Sequence, residues 1–309
     1  MKREDFFFDS RDGKNKIHAV RWTPDETVKP VAIVQIIHGM AEHVDRYEDF
    51  AAYLVEKGMI VTADDHLGHG KSLSEGRKGY FCKQDPATVV VRDVHRLKKI
   101  TQEKYTGVPY VILGHSMGSF ILRNYLFRYG KGIDAAIVMG TGMPAKPVAM
   151  ALKLMASIGC AFGKAATPSE FINKIAFGAY LKKIDNPRTS NDWLTKEEAI
   201  VDKYNEDSLC GFTFTCNGFK TLGELILRLH KKSNIEKMPV TLPVLFVSGS
   251  DDPVGNYGED VKKVYKSFLD EGMQKVSINL YEGDRHEILN ETDHLTVYED
   301  LYNWIEKAI

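Results

Sequence analysis

The stretch "YVILGHSMGSFILRNYLFRYG" (residues 110–130) decides how the rest of the chain is read. It opens on a short apolar run, passes through Gly114-His115-Ser116-Met117-Gly118, and continues with helical spacing to Gly130. The pattern Gly-x-Ser-x-Gly is weak evidence by itself, and its context gives it weight. A serine on a sharp turn between a buried strand and a helix is lifted above the sheet, with the next residue's N–H aimed at the same point. Such a turn strains the backbone, and the flanking glycines are expected to accommodate the angles. Ser116 is therefore a candidate nucleophile.

Working outward, the same alternation recurs. "FFFDSRDGKNKIHAVRW" reads as two strands around an Asp-Gly turn. "PVAIVQIIHG" (30–39), "MIVTAD" (59–64) and "DAAIVMG" (134–140) read as buried strands, separated by helical patterns over 46–58 and 87–105. "LPVLFVSGS" (242–250) and "KVSINLYEG" (275–283) are two more, around a helix at 259–272, and "LTVYEDLYNWIEKAI" closes the chain as an amphipathic helix. Strands alternating with helices imply an α/β fold, a mostly parallel central sheet with helices on both faces. The alternation lapses between about 143 and 235, where only helical patterns occur. So long an insertion is a folded unit rather than a loop. The reading is a core over 1–142 and 236–309 with an inserted helical cap over 143–235.

A serine hydroxyl needs a base to take its proton, and the base needs an acid to orient it. In this fold the order is Ser, then Asp or Glu, then His, each after a later strand. "SGSDDPVG" and "YEGDRHEI" follow the last two strands, which nominates Asp252 as acid and His286 as base. Asp251 is the neighbouring alternative to Asp252. Asp284 lies too close to His286, and His294 falls in the last helix. The oxyanion that forms on attack needs donors. The Met117 N–H is one, and the loop "IIHGMAEH" supplies the Met40 N–H as the other. His38 is read as bracing that loop, and "DDHLGHG" (64–70) as a braced glycine-rich loop rather than a metal site.

These residues resemble the α/β-hydrolase fold, and within it the monoacylglycerol lipase and lysophospholipase branch of the serine aminopeptidase-like group. The resemblance is carried by "HGMAEHVDRY" (38–47), "DDHLGHGKS" (64–72), "GHSMGSF" (114–120), "SGSDDPVG" (248–255) and "EGDRHEILNE" (282–291). In the cap, "NDWLTKEEAIVDKYNEDSLCGFTFT" (191–215) is similar to a segment of bacterial lysophospholipases. It implies Ser116, Asp252 and His286 as catalytic residues, Met40 and Met117 as the oxyanion hole, and a carboxylic ester with an apolar acyl chain as substrate. No cofactor or metal is expected. Absence of the cysteine that some animal members carry after the acid keeps their substrate preference from being copied. Two other readings remain: an aminopeptidase of the same fold, needing a cap acid such as Glu170 or Glu197 to hold an amine, and a ligand-binding protein with little turnover.

Composition bounds the partners. With 309 residues, 43% of them hydrophobic, the chain can bury a large core. A net charge of −1 offers no basis for nucleic-acid binding. The four cysteines show no zinc or disulfide spacing, and the N-terminus has no signal-peptide apolar region, so a cytoplasmic protein is expected. No run of 18 apolar residues suggests a membrane span. "PVAMALKLMASIGCAFG" (147–163) is apolar almost all round, fitting an acyl tunnel, transient membrane or micelle contact through the cap, or a buried cap helix.

Overall fold

A computed structural model describes residues 1–309. An antiparallel hairpin, β1 (Lys2–Asp9) and β2 (Lys16–Thr23), leads into β3 (Ile33–Ile37), β4 (Ile60–Asp64), β5 (Tyr110–His115), β6 (Ala135–Met139), β7 (Val244–Gly249) and β8 (Val276–Tyr281). The eight strands form one sheet in the order β1-β2-β4-β3-β5-β6-β7-β8, parallel from β4 to β8. Strand order reverses at β3, which pairs with β4 on one side and β5 on the other. Loops leaving β3 and β5 therefore flank the crevice where ligands bind in such sheets.

Strands β3 to β7 are buried at every residue, because helices cover both faces. Side chains alternate between two apolar cores. Ile33, Ile37 and Ile112 join the core beneath α2 (Pro86–Lys104), α3 (Met117–Tyr129) and α9 (Glu259–Asp270). Val34, Ile36, Val111 and Leu113 join the opposite core beneath α1 (Glu48–Glu56) and α10 (His294–Ala308).

Between β6 and β7 the chain forms α4 (Lys146–Gly159), α5 (Glu170–Phe177), α6 (Glu198–Glu206), α7 (Cys216–Leu229) and the short α8 (Lys232–Ile235). The hydrophilic α6 is not apparent in the sequence pattern, and the helical pattern of "FINKIAFGAYLKKI" (171–184) runs past Phe177, where α5 ends. Phe219, Leu222, Leu225, Ile226 and Leu229 of α7 lie in the same apolar core as α2 and α3. The insertion is thus rooted in the main core.

Helix α4 rests on α7 through small residues. A Cβ on Gly223 would sit 3.0 Å from the Lys153 Cβ, and one on Gly159 would sit 2.5 Å from the Cys216 Sγ. Lys153 pairs with Glu224 at 2.6 Å. Together with the π-turn Cys160–Lys164, α4 is long and apolar enough to cross a membrane by length and composition alone, although no unbroken apolar run exists. It lies instead across the cap, with Ala149 and Ala156 buried, Leu152 and Met155 half-buried against the main core, and Val148, Met150, Leu154 and Ile158 exposed. It is not a buried helix. All four cysteines are unpaired.

Candidate active site

Ser116 follows β5 and precedes α3 directly, with φ 54° and ψ −120°. The strain thus sits on the serine itself. Its glycine neighbours serve close packing instead: a Cβ on Gly118 would lie 2.0 Å from the Ile37 carbonyl oxygen, and one on Gly114 would lie 2.5 Å from that of Gly118. Only hydrogen at these positions lets α3 start against the end of β3.

That contact brings the loop after β3 beside the serine. A Cβ on Gly39 would sit 3.1 Å from the Ser116 Cβ. The left-handed residue in this loop is Ala41 (φ 55°), not the glycine. The Met40 N–H donates to no protein acceptor. The Met117 N–H belongs to the first turn of α3, where backbone donors lack intrahelical partners.

Asp252 and His286 leave the ends of β7 and β8 and meet. The His286 Nδ1–H donates to Asp252 Oδ2 at 3.0 Å. Asp252 is fully buried, and also accepts from the Ser248 hydroxyl at 3.0 Å and the Val254 N–H at 2.8 Å. Burial works against its charge, but His286 and these donors outweigh it and hold the carboxyl below its ordinary value. The His286 Nε2 is buried and has no protein partner. The neighbouring candidates are otherwise engaged. Asp251 is exposed. Asp284 pairs with Lys196 at 2.8 Å, and the His294 Nδ1–H donates to the Glu291 carbonyl.

The histidine-rich loops brace one another. The His38 Nδ1–H donates to the Gly39 carbonyl, and its Nε2 accepts from the His66 N–H. Burial, then His66, keeps His38 well below its ordinary value, so it is neutral. Asp65 accepts from the Val44 and Lys71 N–H groups and from His18.

Sequence reasoning missed a buried ionic network under the site. Arg46 donates to Glu42 at 2.8 Å and, through both terminal nitrogens, to Glu287 at 2.7 and 2.6 Å. Glu42 accepts from the Gly39 N–H at 2.5 Å and from the Tyr47 hydroxyl at 2.9 Å. His115 faces the Tyr47 hydroxyl at 3.0 Å with Nδ1 and the His286 carbonyl at 3.3 Å with Nε2. Burial opposes the His115 charge, yet Glu42 raises it above its usual value. The i, i+4 spacing of Glu42 and Arg46 was the one local signal. Glu287 lies 241 residues from Arg46 in the chain.

The cap forms the roof. Trp193 lies 5.1 Å from the His286 ring, centroid to centroid, with Tyr180 behind it at 4.9 Å. Hydrogen bonds bind this segment to the His286 loop along its length. Glu287 N–H donates to Leu194, the Arg285 guanidinium to Asp192, the Thr195 hydroxyl to Asn290, and Lys196 N–H to Glu291. Glu170 is exposed in the first turn of α5, and Glu197 is only half-buried just before α6.

Known proteins resemble this chain in sequence and fold. The family described as serine aminopeptidase, S33 matches residues 28–293. A monoglyceride lipase of Rattus norvegicus is 29% identical, over 93% of this chain and 86% of its own. A monoacylglycerol lipase of Mycolicibacterium smegmatis is 26% identical, over 92% and 90%. Among solved structures, a highly thermostable carboxyl esterase from Bacillus coagulans superposes with a TM-score of 0.91 and 32% identity, over 100% of this chain and 99% of that one. The chain therefore belongs to the serine aminopeptidase S33 family, and is a carboxylic ester hydrolase of the α/β-hydrolase fold.

Proposed function

We propose that the protein hydrolyses monoacylglycerols and related esters with an apolar acyl chain through an acyl-enzyme on Ser116. The observation that carries this reading is the buried Asp252–His286 pair, whose free Nε2 lies under the cap on the same sheet edge as the strained Ser116 turn. His286 takes the Ser116 proton as the oxygen attacks the ester carbonyl. The Met40 and Met117 N–H groups hold the oxyanion. His286 then passes the proton to the leaving alcohol, and activates water to free the acid. Asp252 fixes the tautomer and stabilises the imidazolium. The monoacylglycerol lipases among the relatives support the substrate class.

The apolar outer face of the cap supports delivery of that substrate from a lipid surface. Val148, Leu154, Phe162 and Phe171 are 61%, 62%, 78% and 69% exposed, and Lys146 and Lys164 stand at the ends of the patch. Burying each large side chain in a bilayer interface contributes about 1–2 kcal/mol. A Leu154→Asp/Phe162→Asp protein should show a raised KM for monoacylglycerol in vesicles and an unchanged kcat/KM for soluble short esters.

The test of the chemistry is hydrolysis of p-nitrophenyl esters of two to sixteen carbons and of monoacylglycerol, by wild type and Ser116→Ala. Turnover lost by about a thousandfold or more in the variant supports the mechanism. Equal rates in the two proteins sink it.

A further inference from the structure

Away from the reacting atoms, three side chains of different ligand chemistry converge where the cap meets the loop after β3. His43 comes from that loop, Asp207 caps the end of α6, and Cys210 follows three residues later. The imidazole nitrogen, carboxylate oxygen and thiol sulfur all lie within 4.8 Å of one another, with His43 Nε2 and Asp207 Oδ2 at 2.7 Å. His43 and Cys210 are buried, while the Asp207 side chain is one-third open to solvent and provides an entry.

Nitrogen, oxygen and sulfur together suit a four-coordinate zinc-class cation with water in the fourth position. Calcium and magnesium favour all-oxygen sites. The second ring nitrogen of His43 strengthens the case. Nδ1 faces Asp45 Oδ2 at 3.8 Å, and Asp45 is itself held by Arg3 at 2.5 Å. A metal-bound imidazole carries its proton on the distal nitrogen, and a carboxylate near it, here beyond hydrogen-bond distance, favours that tautomer electrostatically.

We propose that His43, Asp207 and Cys210 form a binding site for a zinc-class divalent cation that clamps the cap to the loop carrying Met40. On binding, the Cys210 thiol releases its proton to solvent and the His43 proton moves from Nε2 to Nδ1. Thiolate and carboxylate then balance the two positive charges of the ion. A weaker clamp already exists at this seam, because the Gly211 N–H and the Tyr204 hydroxyl both donate to the Ala41 carbonyl at 3.0 Å. A bound ion would reinforce it one residue from Met40, coupling cap rigidity to the site.

The experiment is an optical titration of the EDTA-treated full-length protein with cobalt(II), alone and in competition with zinc. Binding of one equivalent, with a thiolate-to-cobalt charge-transfer band that zinc displaces, is expected for wild type. Cys210→Ser and His43→Gln should lose the band. Zinc at a hundredfold excess over its Kd should raise the wild-type melting temperature by roughly 5 °C and leave both variants unmoved. Either variant alone suffices if the other does not fold. A band that survives Cys210→Ser would arise from Cys82, Cys160 or Cys216 and overturns the assignment. So does a wild type with neither band nor shift.

Discussion

Arg46→Met is the substitution that asks most of the buried network. Arg46 is the only guanidinium touching Glu42 and Glu287, both nearly inaccessible. Its removal does not strand the two carboxylates equally. Glu42 keeps the Tyr47 hydroxyl, the Gly39 N–H and the raised His115. For Glu287, by contrast, Arg46 is the leading influence that offsets burial, and the Asn290 amide is the one side-chain donor left. Breaking a buried ion pair by removing one partner costs about 3–5 kcal/mol. Loss of the guanidinium from the face of the Tyr204 ring, at 4.8 Å, falls within that figure.

The pH dependence follows from the sign of the shifts. In wild type Glu287 is held below its unfolded value, so its contribution is present above about pH 4.3 and lost as pH falls through the folded value. In the variant, burial outweighs what the Asn290 amide and His115 still offer and raises Glu287 above the unfolded value. The folded state then keeps a proton that the unfolded state has lost, and stability declines as pH rises. The gap between the two proteins should therefore be widest at pH 8 and narrow toward pH 5. Urea unfolding at both values reads it. Arg46→Lys should fall between, since one ammonium cannot make the fork to Glu287. Loosening both the Gly39 loop and the residue after His286 should also lower kcat by about 10- to 100-fold, with little change in KM. A loss under about 1 kcal/mol at pH 8, or the same loss at both pH values, would refute the reasoning.

Asp252→Asn should keep the fold and lower kcat by about 10⁴-fold, because the amide favours the wrong imidazole tautomer; circular dichroism alongside ester turnover checks both halves. Gly39→Ala places a methyl 2.5 Å from Glu42 Oε1 and 3.1 Å from the Ser116 Cβ, displacing the loop that presents Met40. Its kcat should drop about 100- to 1000-fold, as for loss of one oxyanion donor, and an activity within threefold of wild type would show the loop unmoved. Gly223→Leu should push α4 off α7, where even a Cβ lies 3.0 Å from Lys153, at about 1–3 kcal/mol. Long-chain esters should then lose kcat/KM more than acetate esters, as a substrate series will show.

The elbow was legible because its signals are local. A buried strand, a serine between glycines and a helix lie within twenty-one residues, and the candidate acid and base each follow a strand that reads the same way. Legibility ended where partners are distant in the chain. Glu42, Arg46 and Glu287 look like ordinary surface charges, and only the folded sheet puts them together in the dark beneath His115. The strain at the elbow was assigned to glycines because glycine tolerates such angles. The chain instead puts them on Ser116 and uses the glycines' missing side chains to let β3 and α3 touch. Helix α4 shows the same limit from the other side. Being apolar all round, it has no periodicity to say which face turns inward. Size decides part of the matter: Ala149, Ala156 and Gly159 fit against α7 and Leu152 and Met155 pack at the margin of the main core, while Val148, Leu154, Ile158 and, in the turn that follows, Phe162 are left outside. The side chains left for a lipid surface are thus those on the face of α4 turned away from α7 and the core.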